Sequence, residues 1–229
     1  MRLGDTFPNF QAPTTIGGKS FFLRHIDFYE WLGDSWGILF SHPADYTPVC
    51  TTELGRAANY FPKFVERGVK LIALSVDSLE SHKGWVEDIK SYCPELRNKD
   101  FPFPLIADEK RELAIKFGML DPDEKDSKGM PLTCRSLFVI GPDKKLKLSI
   151  LYPASTGRSF DEVIRVVDSL QLTQKRKVAT PADWKPGNHC MVLPTLTPEE
   201  VKANFTEEIT VVPMPSGKNY VRHVTLNNN

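Results

Sequence analysis

The chain has 229 residues, 41% of them apolar and 25% charged, which suits a globular protein with one full hydrophobic core and a smaller second unit. Lys+Arg and Asp+Glu both number 29, so the balance offers no overall attraction for nucleic acid or an anionic membrane. No run approaches about 18 uninterrupted apolar residues, so neither a transmembrane helix nor stable membrane insertion is expected.

The opening stretch, MRLGDTFPNFQAPTT, has no apolar h-region, no small-residue cleavage pattern and no Arg-rich transit composition. The expected location is therefore the cytoplasm. The four cysteines, Cys50, Cys93, Cys134 and Cys190, are scattered and include no C-x-x-C pair. Reduced thiols are expected, which argues against a disulfide framework and against a thioredoxin-type dithiol enzyme.

In chain order, Trp36–Ser41 is a short apolar run that predicts a buried strand. The loop HPADYTPV leads to Cys50. From Thr51 onward Leu54, Ala57, Ala58, Phe61, Phe64 and Val65 recur at helical spacing, Gly68 stops the helix, and Pro62 predicts a kink. Val69–Val76 predicts a second buried strand. Ser78–Cys93 predicts a helix carrying Trp85, Val86, Ile89 and Tyr92 on one face. Phe103–Ile106 predicts a short strand, and Asp108 caps a helix running to Phe117 and Gly118. Ser136–Ile140 and Leu146–Leu151 flank a Gly-Pro-Asp-Lys turn and predict a hairpin. Ser159–Glu162 is a capping box opening a helix to about Leu170.

Alternating strands and helices of this kind predict an α/β sheet covered on both faces. The composition shifts near Thr173, where QKRK is followed by Pro181, Pro186 and Pro194. The expected division is a main domain over 1–172 and an extension over 173–229. The extension carries a second capping box, Thr197–Glu200, and strands over Ile209–Met214 and Asn219–Leu226. Its length is too short for a stable independent core, so it is expected to pack on the main domain or on a second subunit. The three terminal Asn residues are expected to be disordered.

Cys50 falls at the junction of a strand-following loop and a helix. The first-turn amides of a helix lack intrahelical acceptors, and with the dipole they favour an anion. Cysteines at such positions have pKa values lowered from about 8.5 to roughly 3.5–7.5. A turn after Pro43 would bring the Thr47 hydroxyl beside the sulfur, where it can both donate and accept, while Pro43 shields the site from water. On local physics alone, a helix-entry loop with Thr as cap, Pro as turn former and Cys as a small buried hydrophobe explains these residues equally well.

Pro43-Ala-Asp-Tyr-Thr47-Pro-Val-Cys50 matches P-x-x-x-T-x-x-C, the signature of the peroxiredoxins. The stretches SHPADYTPVCTTELGRAA, KLIALSVDS, FPFPLIAD, GMLDP, GPDKKLKLSILYPASTGR and ATPADWKPG resemble the 1-Cys peroxiredoxins of the peroxiredoxin 6 subfamily. The resemblance implies a thioredoxin-like fold, a central mixed sheet flanked by helices, with a small α+β C-terminal extension associated with homodimer formation. It implies a thiol peroxidase that reduces hydrogen peroxide and organic or lipid hydroperoxides and needs no cofactor or metal. Cys50 then matches the peroxidatic cysteine, Thr47 the peroxide-positioning hydroxyl, Pro43 the shielding proline and His42 the histidine near the sulfur. Arg135 matches the thiolate-stabilising arginine, Glu53 the acid that orients it, and Arg158 a second arginine of that network. Without the family, Arg135 reads as a strand-edge surface charge.

The 2-Cys relatives carry a resolving cysteine in V-C-P-A-x-W. Here the stretch is Ala179-Thr180-Pro181-Ala182-Asp183-Trp184, with Thr180 in the cysteine's place. The substitution implies an external reductant, glutathione (delivered through a glutathione transferase) or ascorbate, and an exposed thiol at risk of over-oxidation. Cys93 and Cys134 read as ordinary buried or half-buried thiols, and Cys190 lies outside the motif. A second activity, phospholipase A2-like, is implied by Gly33-Asp-Ser35-Trp-Gly37, which resembles the G-x-S-x-G elbow of serine hydrolases. Ser35 and Asp143 match its serine and aspartate, and His25 is the candidate histidine, although GDSWG precedes its strand where an elbow follows one. A metal site at His42 and Cys50 lacks further ligands at suitable spacing. A holdase chaperone or scaffold with an inert cysteine is the non-enzymatic reading.

Overall fold

The computed structural model describes residues 1–15 and 24–226, so the terminal Asn residues lie outside the described residues. The chain forms two compact units, Met1–Phe160 and Asp161–Asn229. The division falls at the start of a helix rather than at 172. The end of that helix, through Leu172, packs on the second unit's own core.

The first unit begins with β1 (Gln11–Thr15), β2 (Arg24–Asp27) and the short α1 (Phe28–Leu32). Then come β3 (Trp36–Ser41), α2 (Pro48–Glu66), β4 (Val69–Ser75) and α3 (Leu79–Tyr92). They are followed by β5 (Leu105–Ala107), α4 (Glu112–Phe117), β6 (Leu120–Lys125) and β7 (Pro131–Thr133). The unit closes with β8 (Arg135–Ile140) and β9 (Leu146–Tyr152), before α5 (Phe160–Lys175). The main sheet has seven strands in the order β2-β1-β5-β4-β3-β8-β9. β3 is parallel to β4 and antiparallel to β8, and β4 is parallel to β5, so the sheet is mixed.

Every residue of β3 and β8 is buried, as expected of central strands covered on both faces. One core cluster gathers Phe7, Phe28, Phe117 and Phe138, with Phe7 4.7 Å from Phe117 and 5.4 Å from Phe28 between ring centroids. α2 buries Cys50, Glu53, Leu54, Ala57, Ala58, Tyr60 and Phe64, one stripe at helical spacing. The helix continues through Pro62, which is exposed, to Glu66.

The predicted elements through β4 and α3 form with end shifts of at most about three residues, and β3 matches its predicted bounds. Asp108 does serve α4, but from a distance. Its carboxylate accepts from the amides of Leu113 and Ala114 at 3.1 and 2.7 Å, and the helix starts only at Glu112. The β1–β2 and β6–β7 pairings carried no sequence signal. β6 is mostly charged and half-exposed or exposed, so its pairing rests on backbone bonds rather than on an apolar face.

The second unit contains the rest of α5, then β10 (Val178–Ala179), β11 (Cys190–Val192), α6 (Pro198–Asn204), β12 (Ile209–Val211) and β13 (Arg222–Val224). Its four strands run β10-β11-β13-β12. Thr197 and Glu200 form the predicted capping box, with both reciprocal bonds present. The unit has a buried cluster of its own, made by Val178, Trp184, Cys190, Val192, Phe205, Val224 and Leu226, which the expectation from length alone did not foresee.

Candidate active site

β3 ends at Ser41, and the loop His42–Thr47 leads from its C-terminal end into α2. Thr47 is the N-cap residue, Pro48 follows it in the first turn, and Cys50 lies in that turn. The first bond of the helix runs from the Thr51 amide to the Thr47 carbonyl, so the amides before it have no helical acceptor. Thr47 makes no side-chain cap bond. Its hydroxyl donates to the Ala44 carbonyl at 2.9 Å, which leaves the oxygen lone pairs available.

Arg135, the first residue of β8, brings Nη1 to 3.4 Å from Cys50 Sγ. The same nitrogen donates to Glu53 Oε2 at 2.6 Å, one turn along α2 from Cys50. Its Nε and Nη2 donate to the Ala154 carbonyl at 3.0 and 2.6 Å. The guanidinium is thus clamped on two sides, and its surface-charge reading fails: Arg135 is 2% exposed. Arg158 donates to Glu53 through its backbone amide, Nε and Nη2, and to the carbonyls of Ser136 and Ser41. Glu53 is therefore a buried anion between two buried cations. Burial pushes its carboxyl up, but the charge and bonds of Arg158, with Arg135 behind them, hold it below the ordinary range.

His42 and Pro43 are both buried. His42 Nε2 lies 2.9 Å from Asp45 Oδ1, while its Nδ1 is buried without a hydrogen-bond partner among the described residues. Asp45 also receives Ser81 Oγ at 2.8 Å and faces His82 Nδ1 at 2.7 Å. His82 Nε2 meets the Ile106 carbonyl at 3.1 Å. With an acceptor on each nitrogen, only the imidazolium satisfies both contacts. Burial pushes His82 down, yet the bond and charge of Asp45 hold it above its usual value. Burial likewise opposes ionisation of Asp45, and the two histidines outweigh it, holding the carboxyl well below the usual range. These three residues are also the group, among those described, whose ligand atoms converge within 4.8 Å. Asp45 already spans that space, in contact with His42 at 2.9 Å and His82 at 2.7 Å. Asp45 and His82 were missed from the sequence; they lie 37 residues apart on different elements, and spacing gave no signal.

The arrangement is a thiol in a helix's first turn, with a fixed guanidinium on the sulfur and an uncommitted hydroxyl oxygen at the cap. The AhpC/TSA family model matches residues 3–149, and the C-terminal domain of 1-Cys peroxiredoxin matches residues 169–208. The chain is 60% identical to peroxiredoxin-6 of Gallus gallus and of Homo sapiens, over 96% of this chain and of each relative.

The chain belongs to the 1-Cys peroxiredoxins, in the peroxiredoxin 6 subfamily.

Solved structures agree with this placement. A cysteine-to-serine mutant of peroxiredoxin 6 from Arenicola marina superposes with a TM-score of 0.93 at 56% identity, each chain covered completely. A yeast mitochondrial 1-Cys peroxiredoxin, described as resolved through glutathione/thioredoxin systems, gives 0.86 at 42% identity, covering 99% of this chain and 100% of that one. The fold is the thioredoxin-like peroxiredoxin fold, and the chain is a thiol peroxidase that uses a peroxide and a thiol reductant.

As a peroxiredoxin it departs from expectation in one respect: Cys50 is 0% exposed, where an exposed thiol was expected. The reason is its place on the buried stripe of α2. The other cysteines are free and buried, and burial pushes the thiols of Cys93, Cys134 and Cys190 up, away from the reactive thiolate form. Thr180, in the place of a resolving cysteine, shares a 2.6 Å hydroxyl bond with Ser169.

The hydrolase candidates are not brought together by hydrogen bonds among the described residues. His25 is exposed on β2, paired in register with Pro13. Asp143 is bonded to Lys147 Nζ at 2.6 Å and accepts from the Lys145 amide. Ser35 is half-buried beside the apolar concavity formed by Trp31, Phe61, Val65 and Pro104.

Proposed function

We propose that this peroxiredoxin reduces hydrogen peroxide and organic or lipid hydroperoxides at Cys50 and is recycled by an external thiol, glutathione. The observation that carries the reading is the 3.4 Å contact between Arg135 Nη1 and Cys50 Sγ, in a first turn whose N-cap Thr47 donates its proton to Ala44 and keeps its oxygen free to accept.

The thiolate attacks the terminal peroxide oxygen. An S–O bond forms, the O–O bond breaks, and the electron pair leaves on RO⁻, which takes up a proton to give ROH. Cys50 is oxidised by two electrons to the sulfenic acid. Thr47, whose proton is held by the Ala44 carbonyl, can accept a hydrogen bond from the peroxide O–H without rotating. Arg135 has one Nη2 hydrogen with no protein partner among the described residues, and a guanidinium beside the O–O bond stabilises charge arriving on the leaving oxygen. One thiol then condenses with the sulfenic acid, releasing water and forming a mixed disulfide. A second thiol attacks the sulfur of the first, forming the reductant's disulfide as the bond to Cys50 breaks and Cys50 leaves reduced. Glutathione as that thiol is supported by Thr180 standing where 2-Cys relatives carry cysteine, and by the relative resolved through glutathione/thioredoxin systems.

The same reading places the protein in a reducing compartment, the cytoplasm, in keeping with four free cysteines. It also makes the protein a homodimer. β9 is an edge strand of the main sheet with Leu151 67% exposed, an edge suited to pairing with a second copy. Sedimentation velocity of the reduced protein gives a dimer if this is correct and a monomer if it is not.

Stopped-flow mixing of reduced protein with hydrogen peroxide tests the chemistry. One rapid equivalent is consumed, lost in Cys50→Ser and kept in Cys93→Ser, Cys134→Ser and Cys190→Ser. A burst surviving in Cys50→Ser overturns the reading.

A further inference from the structure

We propose that His189 and His223 form a surface site for a divalent first-row transition cation. The register of the second unit's sheet places them together. Cys190 pairs with Val224 and Ile209 pairs with Val224, and all three pack in that unit's core. Side chains alternate along a strand, so the neighbours of opposite parity share the other face. Those neighbours are His223 and Thr210, which face each other in register, and by continuation His189, Thr225 and Glu208.

The two imidazoles stand diagonally across β11 and β13 with ring centroids 4.6 Å apart and planes at 44°. They line a concavity of about 410 Å³ together with Glu207, Glu208, Thr210 and Thr225. Glu207 is neutralised by Arg176 Nη2 at 3.2 Å to each oxygen. Glu208 is exposed and has no ion pair among the described residues, so it brings an uncompensated carboxylate to the concavity.

Imidazole nitrogens bind Zn²⁺ at about 2.0–2.1 Å, which sets two ligand nitrogens of a tetrahedral ion roughly 3.3 Å apart. The ring centroids, 4.6 Å apart, are near enough for the two imidazoles to share one ion. Two imidazoles with a carboxylate and water suit Zn²⁺, Ni²⁺ or Cu²⁺ rather than Mg²⁺ or Ca²⁺, which prefer oxygen ligands. An ion held from β13 and from the residues leading into β11 and β12 would tie three strands together and stabilise the folded second unit by mass action. The peroxidase cycle uses none of these residues.

The test is calorimetric titration of Zn²⁺ into the full-length Cys50→Ser protein, in which the reactive thiol cannot compete. One equivalent binds, the affinity falls at least tenfold in His189→Gln and in His223→Gln, and His25→Gln binds as the parent does. Zn²⁺ raises the melting temperature of the parent and not of the His189→Gln/His223→Gln double variant. Both histidines lie on the solvent face, so the variants fold, and an unchanged peroxide burst with Cys50 restored checks this. Absence of binding at millimolar Zn²⁺, parent-like binding in the double variant, or loss in only one of the two single variants overturns the proposal.

Discussion

Arg158 holds both oxygens of the Glu53 carboxylate. Its backbone amide and Nε donate to Oε1 at 2.7 and 2.9 Å, and Nη2 donates to Oε2 at 2.9 Å. Glu53 in turn fixes Arg135 Nη1 at 2.6 Å, and that nitrogen touches the sulfur. The guanidinium on Cys50 is thus positioned at second hand by Arg158. Glu53→Gln leaves two buried cations facing one neutral amide. Removing one partner of a buried pair costs on the order of 3–5 kcal/mol. Urea unfolding of the reduced variant shows that loss, and its peroxide burst slows as well; unchanged stability would mean the network is relaxed by water.

Arg135→Lys keeps a positive charge but cannot reach Cys50, Glu53 and Ala154 at once. Loss of one preorganised donor from a reacting centre lowers rates by roughly 10²–10³. The second-order rate with hydrogen peroxide, followed by stopped-flow tryptophan fluorescence, falls by that order. A rate near the parent's shows that charge alone suffices.

Thr47 separates two roles that a helix N-cap usually combines. Since its hydroxyl makes no cap bond, Thr47→Val loses little of the ~1 kcal/mol that an N-cap substitution usually costs. The peroxide rate drops by an order of magnitude or more, while Thr47→Ser retains most of it. A large fall in melting temperature with a proportionate loss of rate would instead mark Thr47 as structural.

The Asp45–His82 pair makes stability depend on pH in a definite direction. The folded pKa of His82 is raised, so its contribution is complete below the usual 6.5 and drains away as pH rises through the folded value. The folded pKa of Asp45 is lowered, so its contribution is complete above the usual 3.8 and is lost only as pH falls toward the folded value. Both hold together between those two ordinary values. Urea unfolding of the parent from pH 6 to 9 shows stability declining from this source, and Asp45→Asn flattens that decline. A slope unaltered in Asp45→Asn assigns the pH dependence elsewhere.

Gly55 lies on α2 beneath Cys93. A Cβ there would collide with Cys93 Sγ and come within 3.8 Å of its Cβ. Gly→Ala in a helix ordinarily stabilises by about 1 kcal/mol. Here Gly55→Ala destabilises by about 1–3 kcal/mol through overpacking. Cys93→Ala removes the obstructing sulfur, so the double variant recovers most of the loss. A thermodynamic cycle over the four proteins gives the coupling, and additive effects would show that the helices shift apart instead.

The sequence by itself determined the chemistry's location. A cysteine at a strand–loop–helix junction, behind Thr47 and Pro43, is a local pattern, and helix-terminus physics acts over a single turn. The main strands and helices were likewise legible from periodicity, and so was the Thr197–Glu200 capping box, because those signals lie within one element. Tertiary structure alone decided that Arg135 is buried on the sulfur rather than on a surface, because β8 must pair with β3 before residues 85 positions apart can meet. The same holds for Asp45 and His82, joined only when α3 packs beside the loop, and for the burial of Cys50 on the inner stripe of α2. Charges and thiols acquire their roles from neighbours and from the loss of water, and both are set by contacts distant along the chain.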